Sequence, residues 1–222
     1  MFTQLFNEKS DNRINQGALA DCYFVSALSS LIGKPGAVDS LFITKEINKA
    51  GIYAVRIFLN GKPEIIVVDD FLPVRNGRPE FARGKDEFWM CILEKAWAKL
   101  HGSYAAIEAG QAEHVLLHLT NSPTTLTYHN HVKDKWAFWD RLKIAAEMNF
   151  PMTCGTPSKT ISRTPMHGLI SKHVYSILSI HEFEQFTLLK LRNPQGTNVW
   201  YGEWGPSSDM WSAGARAMLG YE

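Results

Sequence analysis

Missing from this sequence is any apolar run of about 18 residues, the length a helix needs to cross a membrane. Also missing are a CxxC pair and an HExxH helix, which removes the usual sequence basis for a zinc site. Residues 1–10 contain no apolar core of the kind a secretory leader needs, so no signal peptide is expected. Cysteine is scarce, with only Cys22, Cys91 and Cys154. An odd, small count without a leader argues for free thiols in a reducing compartment, hence a cytoplasmic location. Neither sign of charge is in excess, since the formal net charge is +1. That excludes an electrostatic nucleic-acid binder, and Lys133 and Lys135 read as solvated surface. Internal repeats and low-complexity tracts are absent too.

What is present suits a globular chain. The 222 residues are 45% hydrophobic and 20% charged, enough for one domain or two small lobes. Val25, Leu28, Leu31 and Ile32 recur at helical spacing over 21–32, with Asp21 as N-cap and Gly33, Pro35 and Gly36 as the stop. Residues 52–59 and 65–68 read as strands around Asn60-Gly61, a hairpin signal. Asn76-Gly77 marks another turn. Trp89, Ile92, Leu93, Ala96 and Leu100 make one face of a helix over 86–100, with Gly102 past its end. Residues 101–122 yield no clear element, and a lobe boundary is placed near Gly110. A helix is expected over 136–148, a short strand over 152–154, and a surface loop over 157–171. Strands follow over 173–180 and 186–192. Helices weigh more in the first half and strands in the second, which indicates an α+β fold.

Three side chains stand out chemically. Cys22 opens a helix, where the dipole and unpaired N–H groups favour a thiolate, while Asp21 beside it opposes that by like charge. A buried small hydrophobe is the plainer reading of the same cysteine. His173 opens a strand after a polar loop and is a candidate base, with His167 as a nearby competitor. Asn193 ends a strand before Pro194. Its amide oxygen is suited to hold an imidazole in one tautomer, although Asn-Pro is also an ordinary turn pair. Gln16, six residues before Cys22, carries an amide able to donate to an oxyanion.

The order Gln16, Cys22, His173, Asn193 resembles the chain order of papain-like Cys-His-Asn proteases, with intervals of 151 and 20 residues between the last three. Longer segments narrow the likeness. Gln16-Gly17-Ala18-Leu19-Ala20-Asp21-Cys22, Val67-Val68-Asp69-Asp70-Phe71-Leu72-Pro73 and Glu87-Phe88-Trp89 resemble the protease core of the calpain family. So do residues 93–104, His173-Val174-Tyr175-Ser176 and Arg192-Asn193-Pro194-Gln195-Gly196. The resemblance implies a papain-like fold with a helical lobe over 1–110 and a mostly β lobe over 111–222. It implies a cysteine endopeptidase acting on protein or peptide substrates. Cys22 would be the nucleophile, His173 the base and then acid, and Asn193 its orienting partner. Gln16 and the Cys22 N–H would form the oxyanion hole.

Departures from the family pattern set further expectations. Tyr23 stands where tryptophan usually follows the nucleophile. Lys172 replaces a common glycine, and an ammonium facing the ring would lower the His173 pKa. Gln195 replaces a tryptophan that shields the histidine–asparagine pair, which should weaken their hydrogen bond. The chemistry itself requires no cofactor. Calcium enters through the resemblance alone, with Glu87 as the aligned ligand. Arg13, with Asp11 shifted by two, and then Val199 and Pro206 fall where further acidic ligands are expected, so the set is incomplete. These changes leave a second reading, a pseudo-protease that binds peptides or regulates. A transglutaminase-type acyl transferase is disfavoured, because Asn193 stands where that chemistry uses aspartate.

Overall fold

In the computed structural model, the residues described are 4–6, 14–32, 34–157, 167–197 and 200–221. Gly33, Asp11, Arg13, Val199, the first three residues and 158–166 of the expected loop lie outside them.

The alternation over 52–59 becomes strand β1 (Ile52–Leu59), which buries Tyr53, Val55 and Ile57 on one face. Asn60 and Gly61 both take positive φ, 51° and 77°, which matches the twist of an antiparallel hairpin. They return the chain into β2 (Lys62–Asp69), with Leu59 opposite Lys62. Asn76 and Gly77 repeat the device, at φ 52° and 74°, between the short strands β3 (Val74–Arg75) and β4 (Arg78–Pro79).

Three helices share one core with the first hairpin. They are α1 (Cys22–Leu31), α2 (Trp89–His101) and α3 (Ala112–Thr120). Helices α2 and α3 pack on the hairpin itself and α1 on α3. Phe24 of α1 stacks on Trp97 of α2 with ring centroids 5.5 Å apart. Both are buried, and burying a large apolar side chain contributes roughly 1.5–3 kcal/mol. Helix α3 adds Val115, Leu116 and Leu119 to the same core, so that core runs past Gly110.

After residue 120 the chain forms α4 (Lys135–Glu147) and a three-stranded antiparallel sheet, then α5 (Ala213–Leu219). The sheet order is β5 (Met152–Gly155), β6 (Val174–Phe183), β7 (Phe186–Arg192). Helix α1 rests against β6 through two reciprocal hydrogen bonds. Ser26 Oγ donates to the Val174 carbonyl and Ser176 Oγ to the Ser26 carbonyl, both at 2.8 Å.

The α+β class holds, with segregation looser than expected: two hairpins precede residue 80 and two helices follow residue 134. Helices α3 and α5 fall where no element was read. Asp21 occupies the N-cap position, but its side chain makes no capping bond and turns into the core.

Candidate active site

Cys22 begins α1 and is half-buried. Its thiol pKa is pushed up, first by burial and further by the Asp21 charge. The Val174 N–H and the N–H groups of Tyr23 and Cys22 act on the sulfur in the opposite direction. Burial therefore outweighs the helix start, and the shift favours the neutral thiol over a preformed thiolate. The Val174 contact also places the sulfur beside the residue that follows His173.

Asp21 is fully buried and faces Glu94 of α2, which is 2% exposed. With both carboxyls ionised, neither Asp21 oxygen has a donor. A proton on Glu94 supplies one. Burial first, then the neighbouring Asp21 charge, pushes Glu94 up to about 10, while burial raises Asp21 to about 6. The pair titrates as a unit and keeps one proton at neutral pH. Glu94 also accepts from the Ala82 N–H at 3.0 Å and 3.2 Å.

His173 sits just ahead of β6 and is only 4% exposed. Its Nε2–H donates to Asn193 Oδ1 at 2.8 Å. Asn193 Oδ1 also accepts from the Gln195 N–H at 3.1 Å, and Asn193 Nδ2 donates to the Thr197 carbonyl. The amide is thus fixed in orientation, and it fixes the tautomer that leaves Nδ1 as the basic nitrogen. Burial lowers the His173 pKa, and the Asn193 bond partly opposes this. Lys172 is not among the causes.

Two residues that sequence reasoning missed brace His173. Thr156, after β5, accepts the His173 N–H at its Oγ1 (3.0 Å) and donates its own N–H to the His173 carbonyl (2.9 Å). Tyr175, two residues on and so on the same strand face, sets its ring perpendicular to the imidazole at 5.0 Å. For Tyr175 the sequence signals were that two-residue spacing and its place in the His173-Val174-Tyr175-Ser176 segment. Tyr175 thus gives the imidazole an aromatic neighbour from β6, while the Gln195 backbone N–H shares Asn193 Oδ1 with His173. His167 contacts Trp200 and Tyr201 and does not compete for Asn193.

Gln16 is buried. Its Nε2 donates one N–H to the Leu19 carbonyl at 2.7 Å, leaving a second N–H on the same nitrogen. Its backbone N–H donates to the Pro194 carbonyl at 2.8 Å, so the glutamine segment is tied to the loop bearing Asn193. On its other side the segment lies on residues 80–83. Ala18 N–H donates to the Glu80 carbonyl, and Asn15 and Arg83 exchange backbone bonds, at 2.9–3.0 Å. Gly17 is required here, since a Cβ would sit 2.1 Å from the Glu80 oxygen.

The other departures have physical explanations. Tyr23 is a core residue whose hydroxyl donates to the Ile107 carbonyl and accepts from Trp97 Nε1, both at 3.1 Å. Lys172 adopts φ 52°, a conformation glycine enters without cost. Cys91 and Cys154 are pushed up by burial, Cys154 to about 11.

Glu87 is 1% exposed, beside Gly84 and bridged by its backbone to Gln4. Among the described residues no three of His, Cys, Asp and Glu come together to hold a metal, and Pro206 offers no side-chain donor. Among the described residues no helix is long and apolar enough to cross a membrane.

A family description reading "Calpain family cysteine protease" matches residues 2–220. The chain is 35% identical over 213 residues to a calpain-type cysteine protease of Oryza sativa subsp. japonica, covering 92% of this chain and 10% of that protein. It is 31% identical over 223 residues to Calpain-13 of Rattus norvegicus, covering 94% of this chain and 33% of that protein. With Calpain-A of Drosophila melanogaster the figures are 32% over 215 residues, 89% and 26%. The chain thus spans a third or less of the length of these relatives.

Proposed function

The chain belongs to the calpain family of cysteine proteases, with the α+β, papain-like fold of that family's core, and on that premise we propose that it is a cytoplasmic cysteine endopeptidase. Cys22, His173, Asn193 and Gln16 are its working residues, set between two lobes that divide after α3. The observation that carries this reading is the His173 Nε2–Asn193 Oδ1 bond at 2.8 Å with the Cys22 sulfur against the next residue's N–H.

Protein or peptide substrates place a carbonyl over Cys22. His173 Nδ1 takes the thiol proton as the sulfur attacks, because both groups rest neutral. The second Gln16 N–H and the Cys22 N–H receive the oxyanion. His173 returns the proton to the leaving amine, and the thioester is released by water activated at the same nitrogen. Neither lobe needs calcium in this scheme, and activity with little calcium response is expected.

Peptide hydrolysis by the purified chain, with calcium and with a chelator, tests both points. Cys22→Ala should abolish turnover, and full activity in that variant would sink the assignment. Alkylation of Cys22 by iodoacetamide should accelerate toward alkaline pH, above the ordinary thiol range, as its raised pKa requires. A plateau already reached in acid would mean a preformed thiolate. The raised thiol pKa also favours the pseudo-protease alternative, which predicts peptide binding by the chain without turnover.

A further inference from the structure

Beside Gln16 lies an open cavity of about 540 Å3, bounded also by Gly17, Arg75, Arg78, Glu80 and Arg83. Three of the chain's nine arginines meet there, in a protein whose formal net charge is only +1. Glu80 is the one acid in the lining, and it pairs with Arg75 at 2.5 Å. Arg83 donates to the Pro79 carbonyl at 3.5 Å, and Arg78 has no ion pair among the described residues. The cavity therefore carries an uncompensated positive charge.

Its position is fixed by the backbone. Residues 15–18 and 80–83 are bonded at Ala18, Asn15 and Arg83, and Gly17 permits their close approach. The β3–β4 hairpin and its arginines are thus held at a set place relative to the Gln16 amide. An extended peptide advances about 3.3–3.6 Å per residue. A cavity sharing Gln16 with the oxyanion hole is reached by a side chain within about two residues of the scissile bond. A second cavity, of about 500 Å3 along β2 and α2, shares none of the candidate site residues.

We propose that the arginine-lined cavity is a substrate subsite for an acidic side chain, so that this enzyme favours aspartate or glutamate close to the cleaved bond. The inference rests on the endopeptidase reading above. Guanidinium groups suit carboxylates through paired N–H donors. Their exposure limits each pair to a small gain, about two- to fivefold in affinity.

The test uses matched fluorogenic peptides with Glu, Gln or Lys at each of the two positions on either side of the scissile bond. With the full chain, kcat/KM for the Glu peptide at one position should exceed that for Gln about fivefold and that for Lys by more. Raising salt should shrink the ratio. Arg78→Glu should bring the Glu/Gln ratio to one or below, and Arg78→Ala should give an intermediate ratio. Lys62→Glu, an equal charge change at the far end of the first hairpin, should leave the ratio unchanged. Equal rates for Glu and Gln peptides at every position, or a ratio indifferent to Arg78, would overturn the subsite. Binding of the same peptides to Cys22→Ala, followed by fluorescence anisotropy, separates the two claims. Charge-selective binding that Arg78→Glu removes, without turnover by the native chain, keeps the subsite and rejects the endopeptidase. Binding indifferent to charge rejects the subsite whether or not turnover occurs.

Discussion

Helices α2 and α4 are both thirteen residues long, yet α2 buries nine of its residues and α4 none. Their ends differ in the opposite sense. The start of α2 has no side-chain cap, whereas Asp134 accepts from the Trp136 and Ala137 N–H groups at the start of α4. On its flank α4 is held by Trp139 and Lys143, both bonded to Glu182. One helix is fixed by tertiary packing and the other chiefly by capping and surface pairing. The contrast extends to their surroundings. The buried apolar cluster runs from Leu5 to Leu119, and beyond it, among the described residues, the buried apolar side chains are Tyr175, Ile177, Pro194 and Ala215. The candidate active site draws Gln16 and Cys22 from the dense region and His173 and Asn193 from the sparse one. Its geometry depends on bonds that cross between them.

The largest effect should come from Trp97→Ala. It removes the stacking on Phe24 and the Tyr23 bond, and should cost about 3–5 kcal/mol in urea unfolding. A smaller loss would mean that the dense region is less tightly packed than its burial indicates. Glu94→Gln tests the same core through pH. Both carboxyls of the Asp21–Glu94 pair are raised, so the folded chain retains protons that the unfolded chain has lost above about pH 4–5. Stability should therefore fall as pH rises through about 6 and toward about 10. The variant keeps an acceptor for Ala82 and a permanent donor for Asp21. Its stability should fall less steeply between pH 6 and 9, by up to about 1.4 kcal/mol per pH unit per proton. Parallel curves for the two proteins would show that the pair holds no proton.

In the sparse region, Lys172→Gly should stabilise by about 0.5–1 kcal/mol, because glycine takes φ 52° without strain. A destabilised variant would mean that the lysine side chain contributes more than its backbone costs. Ile144→Ala, on the exposed face of α4, should change stability by less than about 0.5 kcal/mol. A loss near that of Trp97→Ala would erase the difference between the regions.

What the sequence disclosed follows the same division between local and tertiary causes. Strands β1 and β7 begin and end where alternation and turn residues place them, because hairpin chemistry is local. Asn60-Gly61 takes the backbone that its residue types favour. Helix α3 was missed because its apolar set, Val115, Leu116 and Leu119, covers little more than one turn, and Gln111 gives no side-chain cap. Asp21 had the right residue type for a cap but is drawn inward by Glu94, which lies 73 positions away. For the candidate site, order and spacing nominated Gln16, Cys22, His173 and Asn193. They did not nominate Thr156, since its hold on the His173 backbone comes from the approach of the segment following β5. The replacement of tryptophan by Gln195 suggested a weakened histidine–asparagine bond, whereas the structure holds that bond at 2.8 Å with Tyr175 against the imidazole.

The bond from the Gln16 amide to the Pro194 carbonyl has a consequence for how the molecule breathes. Gln16 lies among residues sealed into the dense core, yet its amide proton is protected by an acceptor from the sparse region. In native-state hydrogen exchange that proton should therefore exchange with the amides of β7 rather than with those of α1. One backbone amide then serves as an internal clock for the parting of the dense and sparse regions. It is readable in the native protein, and it sits beside the side chain that would receive the oxyanion.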